Sequence, residues 1–182
     1  MALAASRAIL DGMTPNVTTR PDDAGNGYHL AQLNVARALG SPDDDSPDAV
    51  MREFMDSLDH INGIADRFAG FVWRLQTDDG DATSIRAFDE PDILLNMSVW
   101  EDYESFHQYV YKTDHVDYMR RRREWFEPIE GLPVTVLWWI PAGTIPTVDE
   151  AIAKLRHLGE HGPSPEAFNF RTRFESPSPV SD

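Results

Sequence analysis

The order in which strand-period and helix-period segments follow one another constrains this chain more than any other feature of its sequence. From Tyr28 the run YHLAQLNVARAL alternates loosely, as a strand does, and the turn-rich GSPDDDSPD closes it. Ser46, Pro47 and Asp48 then supply an N-cap, a first-turn proline and a carboxylate at the positive end of a helix dipole. Val50, Phe54, Leu58, Ile61, Ala65 and Phe68 recur at helical spacing, which lays an apolar stripe along one face, and Gly70 ends the helix. Phe71 to Thr77 reads as a strand, DDGD as a hairpin-type turn leading into a short ATSIRAF segment, and Ile93 to Trp100 as a strong strand. In that strand Ile93, Leu95, Met97 and Val99 share one side while Leu94, Asn96, Ser98 and Trp100 share the other, so one face is greasy and the other mixed. A second helical region is expected from about Asp102 to Glu127, broken near the cap-favouring pair Thr113 and Asp114 and closed by Pro128 and Gly131. Thr135 to Ile140 reads as a buried strand, Thr147 and Glu150 as a capping box for a helix through about Leu158, and Ala167 to Arg171 as a last edge strand.

The resulting order, β-α-β-β-α-β with an extra C-terminal helix and edge strand, is that of an α+β, ferredoxin-like fold: an antiparallel sheet with helices on one face. The other face must also be hidden, and the mixed face bearing Trp100 and Trp139 is expected to pair with a second copy in a C2 homodimer. One domain over residues 28–171 is expected, preceded by a flexible arm over 1–27 and followed by a disordered tail over 172–182.

Charge and composition exclude several classes of function. A formal net charge of -15, concentrated in Asp43 to Asp45, Asp48, Asp78, Asp79 and Asp81, repels phosphate backbones and anionic lipid, so no nucleic-acid or membrane partner is expected. The absence of cysteine removes disulfides, thiolate nucleophiles and Cys-ligated metals together. The first residues carry no signal-peptide pattern and no window is apolar enough to span a membrane, so a cytoplasmic location is expected.

Among side chains able to do chemistry, His115 stands first. On a helix it shares a face with Met119 and Phe126, so it points to the apolar side, as a proton shuttle or metal ligand, or as a core histidine satisfied by a backbone carbonyl or helix cap. Asn96 lies mid-strand among apolar residues, where its amide needs partners and either orients a ligand or belongs to a structural network. Trp73, Arg74, Trp138 and Trp139 offer flat walls and one cation for a planar apolar ligand, or else an aromatic core. Trp100, Tyr111 and Met119 complete the candidate substrate-binding set. Arg120 to Arg123 spread around a helical circumference, and the i, i+4 pairs Arg120 with Glu124 and Arg123 with Glu127 point to a solvated, ion-paired helix. No HExxH or other clustered ligand set, dinucleotide glycine motif, phosphate loop or serine elbow is present, so no metal site is expected.

The runs YHLAQLNVARAL, GFVWRLQT, LLNMSVWEDYESFHQYVYKTDHVDYMRRRREWF, LWWIPAGTIPTVDEA and EHGPSPEAFNF together resemble the bacterial family catalogued as domain of unknown function 3291, over residues 28–171. That family is grouped with dimeric α+β-barrel proteins, as antibiotic-biosynthesis monooxygenases and haem-degrading enzymes are. The resemblance implies a pocket between the sheet and its helices, bordered by a strand-terminal Trp and a helix-borne His that Trp100 and His115 resemble, here fifteen residues apart. The family resemblance implies no particular reaction; an inward His beside an aromatic-walled pocket, in a fold whose relatives carry out such chemistry, points to a small tailoring enzyme of secondary metabolism acting on an aromatic or polyketide-like molecule, such as a cofactor-independent monooxygenase, with His115 as acid/base and Asn96 and Trp73 positioning substrate. The alternatives are a haem protein with His115 as axial ligand and a non-enzymatic module that holds a small apolar ligand.

Overall fold

A computed structural model describes residues 27–41, 49–78 and 80–178. The expected N-terminal arm, apart from Gly27, and the helix-initiating Ser46, Pro47 and Asp48 lie outside the described residues. The elements run β1 (Tyr28–Ala38), α1 (Ala49–Arg67), β2 (Phe71–Arg74), β3 (Ile93–Trp100), α2 (Tyr103–Lys112), α3 (His115–Arg121), β4 (Phe126–Glu127), β5 (Thr135–Pro141) and α4 (Val148–His161). All strand pairs are antiparallel. β1 lies at the centre, with β3 and then β2 on one side, and on the other β5 along its first part and β4 at its end. Strand order β5-β1-β3-β2 is that of the expected ferredoxin-like α+β fold.

Register decides which side chains share a face. Leu30, Gln32, Asn34 and Ala36 stand opposite Trp100, Ser98, Asn96 and Leu94, and the intervening Ala31, Leu33 and Val35 stand opposite Val99, Met97 and Leu95. The mixed face lies under α1, α2 and α3, where Trp100, Leu30, Phe106, Tyr109 and Val110 form one core cluster and Met51, Leu94 and Trp125 another. The greasy face lies under α4, whose Val148, Ala151, Ile152, Leu155 and Leu158 pack on Leu33, Val99, Val136 and Trp138. This corrects the expectation that the Trp100 and Trp139 face seats a second copy: both faces are covered within one chain. The physical reason is the greasy stripe, which α4 removes from water without any partner.

Three local assignments change with tertiary context. The chain leaves the helix after Arg121 through a 3₁₀ turn, Arg122–Glu124, so Phe126 pairs with Ala38 as a strand residue instead of sharing a helix face with His115. The ATSIRAF segment is irregular, with Ala82 and Ile85 inserted in the core under the greasy face. The last edge strand shrinks to one bridge, in which Phe168 and Leu137 exchange N–H to carbonyl bonds of 2.8 Å each. Packing continues beyond it: the Trp139 indole N–H donates to the Phe174 carbonyl at 2.9 Å and Phe174 rests on Phe168, so residues up to 174 belong to the body and not to the expected tail.

Gly70 sits where α1 turns into β2 with φ +82, and a Cβ there would collide with the Ser105 hydroxyl at the start of α2. Gly70→Ala is therefore expected to cost about 1–3 kcal/mol, left-handed strain plus displacement of α2, read as a lowered urea midpoint. Stability equal to the parent protein would contradict this account.

Candidate functional site

A cavity of about 300 Å³ lies between the mixed face and helices α1 to α3. Its floor is polar because β1 and β3 place amide and hydroxyl side chains opposite one another. Gln32, almost fully buried, donates from Nε2 to Asn96 Oδ1 at 2.8 Å and to Ser98 Oγ at 2.9 Å, and Trp100 Nε1 donates to the same Ser98 oxygen at 2.9 Å. Asn96 is the residue of β3 that keeps solvent contact. With Oδ1 held by Gln32, its Nδ2 has no partner among the described residues and faces the cavity. Alongside, Asn34 Nδ2 donates to Thr135 Oγ1 at 3.0 Å and to the Val134 carbonyl at 3.1 Å.

The walls are apolar. α1 turns Phe54, Leu58 and Ile61 toward the floor, and they stay half-buried because a hollow, not another layer, lies beneath them. Trp100 closes one end, stacked on Tyr109 with ring centres 4.8 Å apart and touched edge-on by Phe68 and Phe71. Burial pushes the Tyr109 phenol well above its ordinary value, so it stays protonated.

His115 reaches this cavity because the helical region breaks where expected. Thr113 is extended, its hydroxyl donates to the Tyr109 carbonyl at 2.7 Å, and its oxygen accepts the His115 backbone N–H at 3.2 Å. One side chain thus ends α2 and starts α3. The imidazole packs on Tyr109 with ring centres 4.8 Å apart and lines the cavity. Its Nδ1 is buried without a hydrogen-bond partner. Desolvation holds the imidazole below its ordinary value of 6.5, with the Val110 carbonyl working more weakly in the opposite direction.

Of the candidate residues, His115, Asn96, Arg74, Trp100 and Met119 line this one cavity. Arg74 is already neutralised, donating to Asp66 at 2.8 Å and to the Gly80 carbonyl at 2.6 Å. Trp73 and Trp138 do not belong. Both lie on the greasy face, where Trp138 is fully buried and its indole N–H donates to Glu150 at 3.3 Å. The assignment of Trp73 to substrate positioning is corrected accordingly, as strand parity sends it to the side opposite Asn96. Tyr111 lies on the exposed side of α2, next to an outer hollow instead of the cavity. Gln32 and Ser98 went unrecognised in the sequence, although polar side chains at matching parity in two apolar strands were a readable signal.

Among the described residues no three His, Cys, Asp or Glu side chains converge to hold a metal, and no helix is long and apolar enough to cross a membrane. Residues 29–181 match the model of a family described as domain of unknown function (DUF3291). No curated protein matches the chain. Solved structures similar at low identity include the following three. SnoaB, a cofactor-independent oxygenase from Streptomyces nogalater, is 15% identical with a TM-score of 0.42, over 64% of this chain and 95% of that one. The NE2512 protein of unknown function from Nitrosomonas europaea is 12% identical with a TM-score of 0.40, over 68% and 99%. A conserved protein from Methanosarcina mazei Go1 is 14% identical with a TM-score of 0.43, over 64% and 94%.

Proposed function

The chain belongs to the domain of unknown function 3291 family, and from that premise we propose that it is a small cytoplasmic tailoring enzyme that removes a proton from an aromatic or polyketide-like molecule, as the first step of a cofactor-independent oxygenation. The observation that carries this reading is the buried, unpartnered Nδ1 of His115 on the wall of a cavity with a polar floor. A neutral imidazole held below its ordinary pKa can accept a proton at neutral pH. Asn96 Nδ2 supplies donors for the oxyanion that forms as the ring delocalises the charge. Trp100 and Met119 enclose the apolar body of the substrate.

The chemistry balances without an added reductant if the substrate supplies the electrons. His115 takes a proton from a ring-acidified methylene, and the carbanion gives its electron pair to dioxygen. Protonation of the peroxide and loss of water leave a ketone, so that R₂CH₂ + O₂ gives R₂C=O + H₂O. Anthrone under oxygen is a direct probe: accelerated oxygen uptake that disappears in His115→Ala supports the assignment, and uptake unaffected by that substitution overturns it. Self-association, if present, has to use surfaces other than the sheet faces, since both are covered.

Haem fits these residues less well. One imidazole could ligate iron, but the Asn96 amide, whose Nδ2 has no partner among the described residues, would gain no acceptor from a porphyrin ring, at a cost of about 1–3 kcal/mol if left unpaired. Titrating haem is expected to give no Soret shift that depends on His115; a shift abolished by His115→Ala would reverse that conclusion.

A further inference from the structure

We propose that the mouth of the cavity recognises a carboxylate carried by the aromatic ligand, with Arg122 and Arg123 as its partners. This assignment rests on the reading of the cavity as a small-molecule site. An outer hollow of about 460 Å³ is lined by Tyr111, Arg120 and Phe170 together with Met119, Arg122, Arg123 and Thr135. The last four also line the inner cavity, as does Phe170, so the two spaces adjoin along these side chains.

The sequence pattern argued against a binding role for this arginine run, because four successive α-helical residues point around the whole circumference. The winding changes at Arg122, however, where α3 gives way to the 3₁₀ turn. Arg120, Arg122 and Arg123 consequently border one hollow. Their pairing also differs from the expected i, i+4 pattern. Arg120 bonds Asp117 at 2.9 Å, and Arg121 bonds Glu53 at 2.7 Å and Glu124 at 2.8 Å. Glu127, the partner expected for Arg123, instead faces Arg37 at 3.9 Å.

Arg122 and Arg123 are left without a carboxylate partner among the described residues, in a chain whose net charge is -15. The neighbouring cations Arg74, Arg120 and Arg121 are all neutralised, and so is Arg37. Two uncompensated guanidinium groups that border both the outer hollow and the inner cavity raise the local concentration of anions there. Their planar forks match a carboxylate. Thr135 adds a donor: its oxygen already accepts from Asn34, which leaves its hydroxyl hydrogen for the ligand. An aromatic acid would then lay its rings over the polar floor and hold its carboxylate at the mouth.

The test uses the full chain, isothermal titration calorimetry, and two probes of the same shape: 1-hydroxy-2-naphthoate and its methyl ester. The acid is expected to bind about tenfold more tightly than the ester at low ionic strength, an advantage that shrinks as salt is added. The double variant Arg122→Gln/Arg123→Gln, at two exposed positions, is expected to abolish the advantage and leave the affinity for the ester unchanged. Equal affinity of acid and ester in the parent protein, or an advantage that survives in the double variant, overturns the carboxylate assignment and leaves the cavity reading standing. Binding of neither probe overturns both.

Discussion

Replacing His115 by alanine is expected to leave a folded protein whose turnover of a proton-donating aromatic substrate falls by about 10²–10⁴-fold, the usual worth of one positioned acid/base group. The fold should survive because the ring lines a cavity, and what it gives up is its packing on Tyr109 and a weak bond to the Val110 carbonyl. Dependence on pH separates this role from a packing role. Since burial depresses the folded-state pKa below 6.5, the base form is complete at neutral pH and the acid limb of the rate profile falls below pH 6.5. Stability follows the same sign. As pH drops below 6.5 the unfolded chain protonates this histidine before the folded one does, so the unfolded state binds more protons and stability declines until the depressed folded pKa is passed. His115→Ala is expected to remove that increment of acid sensitivity along with the activity. A variant that keeps full turnover, or an acid limb unchanged by the substitution, would remove His115 from the chemistry.

Trp100→Ala is expected to be the most damaging single change to the body, about 3–5 kcal/mol, read as a large fall in the urea midpoint. Trp100 is fully buried and its ring meets Tyr109, Phe106, Phe68 and Phe71, so truncation opens a void where β2, β3, α1 and α2 converge. Its indole N–H also donates to Ser98, whose oxygen anchors Gln32 and thereby the orientation of Asn96. Trp100→Phe keeps most of the volume and loses only that donor, so its cost should be nearer 1 kcal/mol. The proposed turnover should fall in both, since the floor amide loses its support. Equal stability of the alanine variant and the parent would mean that this aromatic cluster is not the closed end of the site.

Part of the candidate site's placement is legible in the sequence. His115 was placed inward from helical spacing and lies on the cavity wall, although Phe126, one of the two neighbours used for that inference, proved to belong to a strand. Asn96 was singled out as an amide in an apolar strand, and the register with β1 then supplied the partner that the strand alone could not name. Trp73 and Trp138 are not placed by sequence alone, because large aromatics suit a ligand wall and a core equally well. Arg122 and Arg123 escape the helical pattern because the winding changes at their junction, where the α-helical periodicity of the sequence no longer applies.

Alternation within β1, β3 and β5 fixed by itself which side chains travel together, and the order of elements fixed the antiparallel sheet, because each depends on neighbours along the chain. What lies over each face was decided only in three dimensions. α4 follows its sheet partners in sequence yet covers the greasy face that begins at β1, which leaves the mixed face to enclose a cavity beneath three helices instead of a second copy. Burial rewards contact between segments far apart in the chain, and no local period records which of the available covers a face will receive.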